Sequence, residues 1–343
     1  MQTIQERLIG KIFSDWNSRI VCAGAQLDIY DALDLETPRT VDEVAKEKGY
    51  DAALLYRLMR AIASEGILKE EEGKKFTLTE QGVLLRSDHP SMAYYLAIFN
   101  YSKPQTAMWG HLPAIMRDGK PDGILREYGK PVFEVIKDAP EDYGKFYNGA
   151  VSSLSVARSE GALDALRDYD FSKIYTWCEV AGGHGHLMCS FLKKYPHLKG
   201  TVLDLQNVVD QKDQLWANKW NLQSRCNYIA GDMFKDIPVI ADAYSCKWIL
   251  HDWPDADAVQ ILRNIRRSAP KGSRMFVVEN VVPGPSEPHH GKIIDIIVML
   301  MYGSRERTEA EYVSLFDASG WEFVKTHYPQ HHNTMGVLEA VSP

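Results

Sequence analysis

The sequence predicts an α/β chain in which a mainly helical N-terminal region with a winged-helix pattern precedes an open, mostly parallel sheet wrapped by helices. Three observations predict it. Hydrophobic periodicity is helical from residue 1 to about 165. From about 172, short β-rich runs alternate with helical stretches, the rhythm of a parallel sheet covered on both faces. Successive strand candidates also end in a chemically active residue, a pattern that places a site along one edge of the sheet.

The elements justify this in order. "IGKIFSDWNSRIVCAGAQLDIYDAL" (9–33) carries Ile9, Ile12, Phe13, Trp16, Ile20, Val21, Ala25 and Leu27, a stripe broad enough to bury more than one helix face. "TVDEVAKEKG" (40–49) and "DAALLYRLMRAIASEGIL" (51–68) predict two helices joined by a turn. "KEEEGKKFTLT" (69–79) predicts a hairpin with Gly73 at its tip and Phe76 and Leu78 facing inward. Helix, turn, helix, hairpin is a winged-helix pattern, which serves DNA binding or dimerisation. Residues 40–90 hold eight basic and ten acidic side chains, a net of −2, whereas phosphate contact needs a positive face, so dimerisation is favoured.

In the second part, "KIYTWCEVA" (173–181), "GTVLDL" (200–205), "CNYIAGD" (226–232), "ADAYSCKWIL" (241–250) and "SRMFVVENVV" (273–282) predict five strands. Helices are expected over "LMCSFLKKY", within 206–225 and over "DADAVQILRNIRRSA". Thr308 and Glu311 of "TEAE" form a capping box for a further helix. "EFVKTHYPQ" and "GVLEAV" predict a closing antiparallel hairpin, which brings the sheet to seven strands.

Composition narrows the function. The chain has 343 residues, too many for one small core. A net charge of −7 argues against general nucleic-acid or anionic-membrane binding. No apolar run reaches 18 residues, and the N-terminus lacks the basic flank and apolar core of a signal peptide, so a cytoplasmic protein is expected. Cys22, Cys178, Cys189, Cys226 and Cys246 lack CxxC spacing and predict reduced thiols without a metal site.

"EVAGGHGHL" (179–187) lies between a strand and a helix, where glycines let a ligand approach the backbone. The spacing of Gly182, Gly183 and Gly185 is not that of dinucleotide folds. Glu179 before the loop repels a pyrophosphate but suits a cationic amino-acid group. Asp204, with Leu205 after it, is placed to hold ribose hydroxyls. Asp232, Met233 and Phe234 of "GDMF" suit an adenine ring, with the carboxylate as acceptor and the thioether on the ring face. The ordered set favours S-adenosylmethionine. Such a donor carries its own activated methyl, so the protein needs only to orient an acceptor and remove its proton. His251 of "KWILHDWPD" follows the fourth strand on the same edge, and a histidine suits deprotonation of a phenol or enol near neutral pH. Otherwise, "HDWPD" could simply start the next helix from Asp252 or Asp255.

At these residues a resemblance enters. "LDIYDAL", "LLYRLMRAIASEGIL", the glycine loop, "GDMF", "KWILHDWPD", "VVENVVPG" and "RERTEAEY" resemble the caffeic acid O-methyltransferase family and its microbial relatives, class I S-adenosylmethionine-dependent small-molecule O-methyltransferases, over nearly the whole chain. The resemblance implies a Rossmann-like methyltransferase domain with a mostly parallel seven-stranded sheet. It makes His251 the general base, oriented by Glu279 and Glu306, and assigns Asp204, Asp232, Met233 and Lys247 to the cofactor, with Trp248 in the cofactor wall. Asn148, Asp252, Asp295 and Met299 are the candidate acceptor contacts. The domains are expected at 1–100 (winged-helix-like dimerisation), 101–165 (a helical connector contributing to the substrate pocket) and 166–343 (cofactor binding). Ala181, His184 and His186 depart from the plant loop, and Ala150 stands where a substrate-clamping methionine is expected, which points away from plant phenylpropanoids. The expected function is O-methylation of a small aromatic or polyketide-like secondary metabolite by a homodimer, without metal. The alternatives are a non-methylating reaction on the same fold and a DNA-binding regulator.

Overall fold

The computed structural model describes residues 3–91, 93–138, 141–330 and 335–343; the side chains of Glu141, Asp142, Tyr143, Lys145 and Asn148 lie outside that description. The chain divides into two compact units, Met1–Trp109 with Phe133–Leu154, and Gly110–Val132 with Ser155–Pro343. The expected connector is thus shared between the two.

The first unit begins with a helix over Ile4–Gln26, started by a capping box in which Thr3 and Glu6 satisfy each other's backbone amides. Its last turns bury Cys22, Gly24 and Ala25, but Ile4, Leu8, Ile12 and Trp16 are exposed. Strand β1 (Arg39–Thr40) leads into the helix Val41–Lys48, capped by Thr40 and Glu43, and Asp51 caps the helix Ala52–Ser64. Strands β2 (Leu68–Glu71) and β3 (Lys75–Leu78) form the hairpin, and β1 adds on the far side of β3. Phe76 and Leu78 join Met59 and Ile62 in one core. The winged-helix pattern is therefore formed, with β1 as a strand that periodicity did not reveal because it is two residues long.

The second unit carries the seven-stranded sheet: β4 (Thr176–Val180), β5 (Lys199–Asp204), β6 (Cys226–Ala230), β7 (Ala243–Lys247), β8 (Arg274–Asn280), β9 (Glu322–His327) and β10 (Met335–Val341). Their order is β6-β5-β4-β7-β8-β10-β9. The first five are parallel, and β10 pairs antiparallel with both β8 and β9. Alternation along β4 splits its side chains between two cores, with Trp177 in one and Cys178 and Val180 in the other, because successive strand residues face opposite ways. The chain runs outward from β4 through β5 to β6, then returns to place β7 on the other side of β4. That reversal opens a crevice beyond the carboxyl ends of β4 and β7, where open α/β sheets bind ligands.

The helical stretch expected within 206–225 is built of three short turns, Gln206–Val209, Lys212–Gln214 and Trp216–Lys219. One local expectation is corrected. Strand β7 ends at Lys247, not at Leu250, because Trp248 turns into the left-handed region (φ 55°) and a 3-10 turn, Leu250–Asp252, follows. The amides that a longer strand would have paired go instead to a side chain, Glu279.

Candidate active site

The loop after β4 enters the helix His186–Lys194 through Gly183 (φ 57°) and Gly185 (φ 79°), backbone states that side chains beyond glycine rarely adopt. A Cβ at Gly185 would strike the Tyr228 hydroxyl at 2.5 Å, whereas one at Gly183 would meet open space. The Tyr228 hydroxyl donates to the His184 carbonyl (2.8 Å) and so holds the loop against β6. Asp204 accepts from the Gly183 amide (2.7 Å) and the Leu205 amide (2.7 Å), which ties the loop to the end of β5. Burial raises its pKa, and those two amides oppose the rise.

Glu179 lies under the loop, 1% exposed, where a Cβ on Gly182 would run into it. Its Oε2 accepts from the Met188 amide (3.0 Å), and its Oε1 is buried without a partner. Burial pushes its pKa up, against the pull of the Lys247 charge. A buried acceptor lacking a donor, beside an open cradle at Gly183, fits the ammonium of an S-adenosylmethionine amino-acid portion. His186 is buried against Trp216 (4.6 Å between ring centres), and burial with Lys247 and Lys193 lowers its pKa to about 4. It is therefore neutral at pH 7 and adds no charge next to a cationic ligand.

Asp232 accepts from the Phe234 amide (3.0 Å) just beyond β6, and Phe234 meets Trp253 edge to face at 4.7 Å. Met233 packs on the core, and its carbonyl accepts from Asn264. Lys247 donates through Nζ to the Ser155 carbonyl (3.1 Å) and to the Ser155 hydroxyl, so it ties Ser155, in the same unit, to the end of β7. Trp248 stacks on His251 (5.8 Å between ring centres), and the Arg158 guanidinium lies over the Trp248 ring, 4.8 Å from its centre.

The base cluster is assembled from three distant segments. His251 is 7% exposed in the turn after β7. Glu279, at the end of β8 and fully buried, accepts through Oε1 from the amides of Ile249 (3.0 Å), Leu250 (2.9 Å) and His251 (3.4 Å). Its Oε2 lies 3.7 Å from His251 Nδ1. Glu306 Oε1 lies 3.0 Å from the same Nδ1 and accepts from Asn280 Nδ2 at 2.7 Å. A carboxylate there selects the tautomer protonated on Nδ1 and leaves the Nε2 lone pair free. Asp252 Oδ1 approaches Nε2 at 3.3 Å. Burial disfavours the imidazolium, but Glu279, Asp252 and the Glu306 hydrogen bond outweigh it and raise the ring's pKa to about 10. Burial raises Asp252 to about 6 against the His251 charge.

Of the acceptor candidates, Asp252 is in this cluster. Asp295 stands one step back, with Oδ1 accepting the Glu306 amide (2.8 Å). Met299 lines a separate cavity of about 560 Å³ with Ile115, Pro254 and Arg305. Asn148 lies outside the described side chains. Sequence reasoning missed Arg158, Ser155, Asn280 and Arg307. Arg307, wholly buried, donates to the carbonyls of Leu250 (2.7 Å) and Trp253 (2.7 Å) and to Asp255, and so clamps the His251 turn. The signal for Asn280 and Arg307 was adjacency to Glu279 and Glu306; Arg158, one of two cations in the helix Glu141–Ala165, carried none.

Residues 109–322 match the O-methyltransferase domain, and residues 12–88 match the O-methyltransferase dimerisation domain. The phenazine O-methyltransferase of Lysobacter antibioticus is 31% identical over 314 residues, covering 92% of this chain and 90% of that protein. The crystal structure of LaPhzM superposes with a TM-score of 0.88 at 28% identity over the full length of both chains. The calicheamicin-biosynthesis methyltransferase CalO1, solved in its SAH-bound form, gives 0.83 at 27% identity, again over both full lengths. A family match over more than half of the residues, with the glycine loop and the histidine turn inside it, means that this chain belongs to the O-methyltransferase family and is an S-adenosylmethionine-dependent enzyme of it.

Proposed function

We propose that the protein methylates a hydroxyl on a small aromatic or polyketide-like secondary metabolite, with His251 as the general base. The observation that carries this reading is the imidazole beyond β7, its Nδ1 held at 3.0 Å by Glu306 and its Nε2 left to receive a proton. The similarity to a phenazine O-methyltransferase of Lysobacter supports a flat aromatic acceptor.

S-adenosylmethionine, when bound, supplies an electrophilic methyl on a cationic sulfur. Glu179, Gly183, Asp204 and Asp232 would hold it, with Lys247 and Trp248 in the surrounding wall. His251 Nε2 takes the acceptor's hydroxyl proton as its oxygen becomes nucleophilic. The Nδ1–H bond to Glu306 keeps the ring oriented, and the negative charge of Glu279 stabilises the imidazolium that forms. Asp252, 3.3 Å from Nε2, is placed to orient the acceptor. Asp295 serves through Glu306, whose amide it holds, and Asn148 and Met299 remain acceptor contacts of the proposal, as does the pocket role of 101–165. A homodimer through the N-terminal unit completes it.

The test is transfer of a labelled methyl from S-adenosylmethionine to hydroxylated phenazines and simple phenols. His251→Gln should lower turnover by about 10²–10⁴-fold, the usual range for a general base, with cofactor affinity unchanged. Wild-type turnover in that variant would sink the base assignment.

A further inference from the structure

The carboxylates around His251 exceed what one imidazole can satisfy. Glu279 Oε2 and Glu306 Oε2 are both buried and accept no hydrogen bond. Glu279 Oε2 is nevertheless aimed at His251 Nδ1, 3.7 Å away, beside Glu306 Oε1 at 3.0 Å. The donor atoms of the three residues lie within 4.8 Å of one another. A tetrahedral zinc ion with nitrogen and oxygen ligands at about 2.0–2.2 Å holds them about 3.4 Å apart, between the two measured spacings. One imidazole and two carboxylates are a borderline-hard set of the kind zinc accepts, and the open fourth position is the arrangement of non-structural zinc sites.

We propose that His251, Glu279 and Glu306 form an inhibitory site for a divalent transition-metal ion such as Zn²⁺, which binds Nδ1 and two carboxylate oxygens and switches off the base. The inhibitory half rests on the role of His251 proposed above; the binding half does not. The proton count gives the mechanism. Zinc needs a deprotonated Nδ1. Starting from the imidazolium, the Nδ1 proton leaves to solvent and Nε2 keeps its own. The ring is then a donor at the atom that must accept the acceptor's proton, so methyl transfer stops although the cofactor loop is untouched. Glu306 Oε1 has one lone pair for the ion, in place of the Nδ1 proton, and keeps the other for Asn280 Nδ2. Arg158 acts electrostatically on both glutamates and opposes the ion, which favours a reversible site over a resident one.

Cobalt(II) chloride titrated into the purified full-length protein tests the binding half. One equivalent should give the visible absorption of tetrahedral cobalt without the near-ultraviolet band of thiolate ligation, and zinc chloride should bleach it. The thiolate band matters because five cysteines are free, and Cys189 and Cys226 lie 3.9 Å apart. Glu279→Gln and Glu306→Gln should each weaken cobalt binding by about tenfold or more, and His251→Gln should abolish the signal. A thiolate band, no one-equivalent tetrahedral spectrum, or an unchanged spectrum in folded His251→Gln would overturn the site; the wild-type spectrum alone decides if a variant does not fold. For the second half, zinc should inhibit wild-type methyl transfer reversibly by chelator, leaving the KM for S-adenosylmethionine unchanged. One-equivalent binding without inhibition would overturn the tautomer block and count against His251 as base, while the metal site itself would stand.

Discussion

A histidine raised to about 10 is mostly imidazolium at neutral pH, and a base must be neutral to act. In this protein burial works against the charge, and the three carboxylates restore it and overshoot. The sign follows. As pH rises toward the ring's pKa, the neutral fraction grows, so kcat/KM for one acceptor should climb through the neutral and alkaline range. Glu279→Gln removes a negative charge 3.7 Å from Nδ1 but keeps an oxygen for the amides of 249–251. The midpoint of its pH–rate profile should move to lower pH, and its plateau should fall because the imidazolium has lost a partner. Profiles measured with the same acceptor cancel the acceptor's own ionisation, and an unmoved midpoint would refute the electrostatic account. Asp204 offers a second test. Its two oxygens hold the Gly183 and Leu205 amides and keep lone pairs for a ribose. Asp204→Ala should weaken S-adenosylmethionine binding by about 1.5–3 kcal/mol, measured by calorimetry, and unchanged affinity would reject the ribose role.

At the scale of elements, "RERT" is a clamp on the turn that carries the base. Arg305 bonds Asp255 and Glu311, Glu306 bonds His251, and Arg307 bonds the Leu250 and Trp253 carbonyls. Thr308 then caps the helix Glu309–Ser319 with Glu311 as its reciprocal partner, as its sequence predicts. The turn also depends on Trp248, a bulky residue at φ 55°, a state held only when its surroundings over-determine it. Arg307→Met leaves two carbonyls without their donor. It should cost about 2–4 kcal/mol in denaturant unfolding and lower kcat more than it raises KM for cofactor. Full activity with wild-type stability would show that the turn holds itself. Periodicity located β7, but its end was set by competition between a ladder amide and the Glu279 carboxylate. That competitor lies about 30 residues away, so no local pattern announced it.

At the scale of the whole molecule, the N-terminal helix leaves an unsolved burial problem. Ile4, Leu8, Ile12 and Trp16 are 59–78% exposed, and Phe13 stacks on Trp16 at 4.4 Å in the same exposed face. Within its own chain only the last turns of this helix are covered. An apolar face of that length is a partner site or an aggregation liability. A second copy offering the same face closes the contact by twofold symmetry, in keeping with the match of residues 12–88 to a dimerisation domain. Light scattering at micromolar concentration should give twice the chain mass. Ile12→Glu with Trp16→Glu should yield monomers and reduced activity; a wild-type monomer with full activity would refute the dimer and its coupling to catalysis. None of the described helices is long and apolar enough to cross a membrane.

The alternation of β-rich runs with helices, the glycine loop and the acids at strand ends were legible because each depends on neighbours a few residues apart: side-chain period, backbone freedom and caps. They determined the α/β class, the winged-helix region and the crevice edge. Glu279 and Glu306 were reached through resemblance, since no spacing in a linear chain says that residues 28 and 55 positions beyond His251 meet its ring. Only the tertiary structure decided that Glu279 gives one oxygen to three amides and aims the other at a histidine, that Lys247 holds Ser155, and that Arg307 fastens the turn. Those contacts exist because parallel strand order and register bring separate segments to one edge. Burial there removes water, so each polar group must find a partner in whatever segment the sheet has placed beside it.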